Sequence, residues 1–210
     1  MKTVDIGKYN TMAAYGVILS LLGLLDSKSD PLSQNQPSLL FYIIGFILFS
    51  VAMYKYSKIF QNSHIMKNYL IAVGLFLVAG FFFGILLATV IDSGYNTPEN
   101  LINLIINICM VGMSIALTIA LFFMKNTLLE LYKHLKHRLL KIVSWIYFIV
   151  GVISVNLLSM NVISENNSTM LDNNSNDDIL SVFAKLAFII IYILLAIAFV
   201  TAPSLVEVPE

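Results

Sequence analysis

Charge is what this chain has least of: 11% of its residues are charged, against 59% that are hydrophobic. A soluble domain of this size would have too few solvated side chains to cover its surface, so a water-soluble globule is excluded and lipid is the solvent. The single cysteine, Cys109, excludes an intramolecular disulfide, and a thiol at lipid depth reads as a small packing residue rather than a nucleophile. No Asp, Glu or His is centred in an apolar segment, which argues against a proton pump or an intramembrane protease. The three histidines, His64, His134 and His137, fall in the gaps, so none is placed to ligate a haem inside the bilayer. A phosphate-binding glycine loop, a Ser/His/Asp arrangement and a metalloprotease helix are all missing. The chain is expected to be non-enzymatic, without catalytic residues, cofactor or metal. A net charge of zero gives no footing for nucleic acid.

What is present in abundance is apolar length. A helix needs about 20 apolar residues to cross the hydrocarbon core, and a helix is the form whose backbone hydrogen bonds are satisfied there. Six segments meet this test: Tyr9 to Leu25, Ser38 to Tyr54, Tyr69 to Ile91, Leu101 to Met124, Ile142 to Met160 and Ile179 to Val200. The first lacks a small-x-small cleavage site before Asp26 and is expected to stay in the mature protein rather than act as a signal peptide. The expected fold is all-α: residues 1–210 form one polytopic membrane domain, a bundle of six transmembrane helices.

Cations set the orientation. Lys2 and Lys8 precede the first segment. Lys55, Lys58 and Lys67 occupy the second gap, and Lys125, Lys133, Lys136, Arg138 and Lys141 the fourth. The first gap holds only Lys28, and the third and fifth hold none. The positive-inside rule then places both termini in the cytoplasm and the protein in the cell membrane. The fifth gap, SENNSTMLDNNSNDD, is acidic and carries acceptor sequons at Asn166, Asn167 and Asn173, which are usable only on the external face. Chance occurrence in an Asn-rich loop is the competing explanation for them.

Packing in lipid depends on small residues that let helix backbones approach. Gly80, Gly84 and Ala88 make one such stripe in the third span, and Gly112, Ala116 and Ala120 another in the fourth. The two are expected to touch each other, with self-association through the same stripe as the alternative. Tyr9, Tyr15, Tyr42, Tyr54, Tyr56, Tyr69, Trp145 and Tyr147 cluster near span ends and read mostly as interfacial anchors. Residues 54–74, YKYSKIFQNSHIMKNYLIAVG, and 132–151, YKHLKHRLLKIVSWIYFIVG, look alike. Each should be a helix that continues past the membrane, turns and returns.

The runs SKIFQNSHIMKNYLIAVGLFLVAG and LFFMKNTLLELYKHLKHRLLKIVSWIYFIVGVISV resemble a mainly archaeal family of small multi-span membrane proteins known only as a domain of unknown function (number 996). The resemblance spans roughly Thr11 to Ser159. It implies a polytopic membrane protein and no activity, and it brings no functional residues.

Polar residues inside the spans are few. Asn100, Asn103, Asn107, Ser114 and Thr118 recur on one face of the fourth span, and Lys185 lies about 10 Å into the sixth. One reading is a hydrophilic path for a small solute or ion; the other is hydrogen bonding between helices. Lys185 itself fits snorkelling toward an acidic partner such as Asp92, Glu99, Asp177 or Asp178, or an anion-attracting site. Between spans four and five, KNTLLELYKHLKHRLLK sets Leu128, Tyr132, Leu135 and Leu139 on one face. This amphipathic cytoplasmic helical extension should bring Lys133, Lys136, Arg138 and Lys141 to anionic headgroups at the inner surface. Glu130, His134 and His137 share a helical face by spacing, but three helical positions alone make an incomplete metal site. The function expected is a non-enzymatic accessory, scaffold or membrane-organising subunit that meets lipids and other membrane proteins or copies of itself. A small transporter or channel using the Asn stripe and Lys185 is the alternative.

Overall fold

The computed structural model describes residues 2–25, 37–92, 99–167 and 176–208, with side chains throughout except at 24–25, 37–39, 90–92, 99–100, 158–167 and 176–185. Within them the chain is nearly all helix: α1 (Gly7–Leu25), α2 (Pro37–Ile59), α3 (Ser63–Asp92), α4 (Glu99–Leu135), α5 (Arg138–Asn167) and α6 (Asn176–Val200). Two short strands, β1 (Lys2–Asp5) and β2 (Leu205–Val208), flank the helices and pair antiparallel, with Thr3 opposite Glu207 and Asp5 opposite Leu205. Hydropathy could not foresee this pair, because four polar-apolar residues carry no periodic signal. It ties the two chain ends to one face of the molecule.

The described parts of α2, α3, α4 and α5 include stretches long and apolar enough to cross a membrane: Leu40–Ile59, Ser63–Thr89, Leu101–Leu135 and Arg138–Leu157. In α6 the described apolar stretch is the shorter Leu186–Val200. Large apolar side chains cover the outside: Leu77, Phe81, Ile108, Ile115, Ile149, Ile153 and Ile190 are each about half exposed or more. A helix apolar all round belongs in a hydrocarbon solvent. The molecule has the surface of a membrane protein.

The helices pack in chain order, and α6 returns to pack on α1, so the six form a closed ring. Extensive contacts join α1 to α2 and α3 to α4; the α2–α3 seam is the loosest of the ring. The tightest backbone approach is at Gly16 and Gly45. A Cβ built on Gly45 would lie 2.6 Å from the Gly16 carbonyl oxygen, and one on Gly16 would lie 2.7 Å from the Phe49 amide nitrogen. Only glycine at both positions lets α1 and α2 touch main chain to main chain.

The stripe of Gly80, Gly84 and Ala88 does not make the expected contact with α4. All three positions are exposed, and a Cβ on either glycine would meet nothing within 4 Å. The α3 face that packs inward instead carries Ala72 and Ala79, both buried. On α4, Gly112 lies under the Phe82 ring of α3, 2.9 Å from a built Cβ, and Ala116 and Ala120 are buried. Small-xxx-small spacing says that a face is able to pack closely. It does not say which face the bundle turns inward.

Two tight turns reverse the chain at the end where the termini pair. After α2, Gln61 adopts φ 51°, Asn62 N–H donates to the Ser57 carbonyl (3.0 Å) and Gln61 N–H to that of Lys58 (3.3 Å). This is a Schellman cap. After α4, Lys136 also adopts φ 51°, and its N–H donates to the Tyr132 carbonyl at 2.8 Å, the simpler left-handed cap. The two similar sequences are thus two hairpins of similar build, helix to left-handed residue to helix.

The segment between spans four and five is not a separate helix. α4 runs unbroken for 37 residues to Leu135, about 55 Å at 1.5 Å per residue, and α5 begins three residues later at Arg138. Its apolar face points into the bundle: Leu128, Leu131 and Leu135 are buried, as are Leu140 and Val143 of α5. Lys133 closes the last turn of α4, Lys136 is the left-handed cap, and Arg138 and Lys141 sit in the first turn of α5.

Candidate functional site

At the end where the termini pair, the ring is packed solid. Ile6, Ala13, Val17, Met53, Tyr56, Phe60, Ile65, Leu131, Leu140, Phe199 and Val206 form one buried cluster drawn from all six helices and β2. Phe199 stacks on Tyr56 with ring centroids 6.4 Å apart and meets the edge of Phe49 at 5.9 Å. One amide satisfies the polar groups here. The Tyr56 hydroxyl donates to Asn10 Oδ1 at 2.6 Å, and Asn10 Nδ2 donates to the carbonyls of Ala202 and Pro203, each at 3.2 Å. Asn10 thereby links α1, α2 and the segment leading into β2.

Above the floor the helices part around a cavity of about 590 Å³, lined from every helix. α1 supplies Gly16, Val17 and Ser20; α2 Tyr42, Phe46 and Phe49; α3 Tyr69, Val73, Phe76 and Leu77. α4 supplies Leu117, Leu121, Met124 and Leu128; α5 Tyr147 and Val155; α6 Phe188, Tyr192 and Leu195. The volume lies in the range that takes a drug-sized ligand. Tyrosine hydroxyls are the main polar groups on the wall, with Ser20 Oγ engaged by its own helix at the Gly16 carbonyl, 2.9 Å away.

The tyrosines divide into two kinds. Tyr69 is satisfied: Ser50 Oγ donates to the Phe46 carbonyl at 2.7 Å, so Tyr69 is the donor across the 2.6 Å contact between the two hydroxyls. Tyr42, Tyr147 and Tyr192 come from three helices and line the same cavity. Among the described residues none of these three hydroxyls makes a hydrogen bond. Tyr147 lines the cavity half-buried, Tyr56 and Tyr69 are buried, and Tyr42 lines the cavity while 43% exposed, whereas aromatics near span ends had read mostly as interfacial anchors. Position near a span end was the whole of that signal.

One side of the cavity is open. Phe46 on α2 and Leu77 on α3 line it and yet are 40% and 71% exposed, which places its mouth at the loose α2–α3 seam. Below the mouth the seam is closed by the Ser50–Tyr69 hydrogen bond and by the Phe49 and Tyr69 rings, 5.9 Å apart.

The polar stripe of α4 lies apart from this wall. Asn103, Asn107, Ser114 and Thr118 are half-buried and none of them lines the cavity. They occupy the turns of α4 farther from the floor, roughly on the helical face that Leu121 continues. Asn107 Oδ1 is enclosed and without a partner. Lys185 lies in α6, its side chain outside the described residues, as are the side chains of Asn166 and Asn167 in the last residues of α5. Asn173 falls outside the described residues altogether.

Glu130, His134 and His137 do not converge on a metal. α4 ends before His137, whose Nε2 lies 3.0 Å from Thr201 Oγ1. His134 stacks on Phe60 with centroids 4.6 Å apart and shares Asn62 Nδ2 with Glu130, each at 3.1 Å. Lys133 pairs with Glu130 at 2.6 Å. An unforeseen feature is Lys125, buried with its ammonium over three rings: Trp145 at 4.3 Å, Phe122 at 4.6 Å and Phe148 at 4.9 Å. Ring faces offset part of the cost of burying that charge.

Comparison with protein-family models, with curated proteins and with solved structures returns no match. The site itself is the basis for a functional reading.

Proposed function

We propose that this is a six-span, non-enzymatic integral membrane protein with both termini in the cytoplasm, working as an accessory or membrane-organising component. The observation that carries the reading is the closed ring with an interior walled, among the described residues, mainly by Leu, Phe, Val and Tyr and by no charged side chain. An ion or polar-solute path would place groups to replace hydration along that interior. The α4 wall is instead Leu117, Leu121, Met124 and Leu128. Six crossings are favoured by the even helix number and the paired ends, and the cytoplasmic assignment by ten cations on the side of those ends. The basic cap and turn residues Lys133, Lys136, Arg138 and Lys141 then meet anionic headgroups. The layout also agrees with what the likeness to the archaeal family implies.

Cysteine accessibility tests this reading against a transport path. Single cysteines replace Asn103, Asn107 and Ser114 in a Cys109→Ser background and are treated from outside with a polar thiol reagent. Uniform protection is expected of a dry, packed interface. Labelling graded along that face would favour an aqueous path and overturn the proposal.

A further inference from the structure

We infer that the cavity binds an uncharged lipid whose polar end carries hydrogen-bond acceptor oxygens, admitted sideways from the bilayer between α2 and α3. The inference rests on the six-span reading and assigns the interior a ligand. Tyr42, Tyr147 and Tyr192 bring three phenols from three helices to the wall of one cavity, and among the described residues none of them makes a hydrogen bond. Tyr147 and Tyr192 are half-buried and Tyr42 stands 43% exposed, and a donor on a hydrocarbon wall is costly until an acceptor meets it. A phenol donates its proton, so the complementary group is a carbonyl, ester or ether oxygen.

The wall also excludes. Among the described residues no Lys, Arg, Asp or Glu lies on it, so a phosphate or ammonium headgroup drawn inside would be desolvated with no counter-charge from them. Aromatic faces from Phe46, Phe76 and Phe188 suit an acyl or prenyl chain. The mouth matches this ligand: exposed Phe46 and Leu77 lie within the apolar stretches Leu40–Ile59 and Ser63–Thr89, so on the six-span reading the ligand arrives from the lipid phase with its tail already solvated there. About 590 Å³ accommodates one polar end and part of a chain, the rest of the lipid staying in the bilayer through the mouth, so the charge of the headgroup and not its volume separates the two lipid classes.

The test uses the full chain in mild detergent with a diacylglycerol bearing a diazirine in one acyl chain; phosphatidylglycerol with the same chain is the contrast. Saturable labelling of Phe46, Phe76 and Phe188, competed by unlabelled diacylglycerol, is expected from the neutral probe and not from the anionic one. Combined Tyr147→Phe and Tyr192→Phe changes remove two donors without changing shape. They should weaken binding by about fivefold to tenfold per lost hydrogen bond, with thermal stability retained. Leu117→Trp, filling the space, should abolish labelling; where that variant fails to fold, the phenylalanine pair decides. Labelling confined to outward residues such as Ile108 and Ile115, equal occupancy by the anionic probe, or unchanged binding in the phenylalanine pair overturns the inference. Failure of the six-span reading would show separately, as reaction of a single cysteine at Thr3 or Ser204 with a membrane-impermeant maleimide on intact cells.

Discussion

Replacing Gly45 with alanine should do what replacing Gly80 does not. At Gly45 the new methyl carbon would lie 2.6 Å from the Gly16 carbonyl, 2.6 Å from the Ser20 amide nitrogen and 2.6 Å from Ser20 Oγ. Two of these atoms are backbone, which cannot rotate away, so α1 and α2 must separate. Overpacking of this kind costs about 1–3 kcal/mol. At Gly80 the methyl meets open space, and the lower backbone entropy of alanine in a helix favours the variant by about 0.5–1 kcal/mol. For a chain of this size 1 kcal/mol moves the melting temperature by about 2–4 °C. Thermal unfolding in one detergent should therefore show Gly45→Ala lower by about 2–12 °C and Gly80→Ala unchanged or slightly higher. Combining Gly16→Ala with Gly45→Ala should cost less than the sum, because the helices separate once for both. Equal destabilisation by Gly45→Ala and Gly80→Ala would refute the assignment of the close contact to α1 and α2.

Three further outcomes follow from the floor and the turns. Asn10→Ala leaves the Tyr56 hydroxyl and the carbonyls of Ala202 and Pro203 without their partner. It should cost about 1–3 kcal/mol and speed proteolysis of the last residues in detergent. Gln61→Gly and Lys136→Gly, at φ 51°, should each raise stability by up to about 1 kcal/mol, since glycine takes the left-handed conformation without steric cost. Lys125→Met keeps the stem and removes the charge from beneath Trp145. It should lower stability by about 0.5–2 kcal/mol and shift the fluorescence of Trp145, the chain's single tryptophan.

Much of the fold was legible because lipid imposes a coarse, length-based code. Each of the six apolar segments lies within one helix, and residues 54–74 and 132–151 do turn back on themselves. Boundaries were less legible. α4 runs eleven residues past Met124 because Leu128, Leu131 and Leu135 continue the inward face while hydropathy falls. The side facing inward was also hidden: in helices apolar all round, Gly80 and Ala79 have equal claims until neighbours are known. The cavity left almost no trace. Its wall is ordinary Leu, Phe and Tyr, and what distinguishes it is that Tyr42, Tyr147 and Tyr192 converge from segments 45 to 150 residues apart. The polar stripe of α4, the most conspicuous signal in the sequence, lines a different part of the helix.

Topology mapping tests the whole account most directly. In a Cys109→Ser background, single cysteines at Thr3, Gln61, Gly94 and Ser204 are treated on intact cells with a membrane-impermeant maleimide. The account predicts labelling at Gly94 alone, with Thr3, Gln61 and Ser204 reacting together once the membrane is opened. Reaction at Thr3 or Ser204 before permeabilisation, or a difference in sidedness between either of them and Gln61, would contradict it.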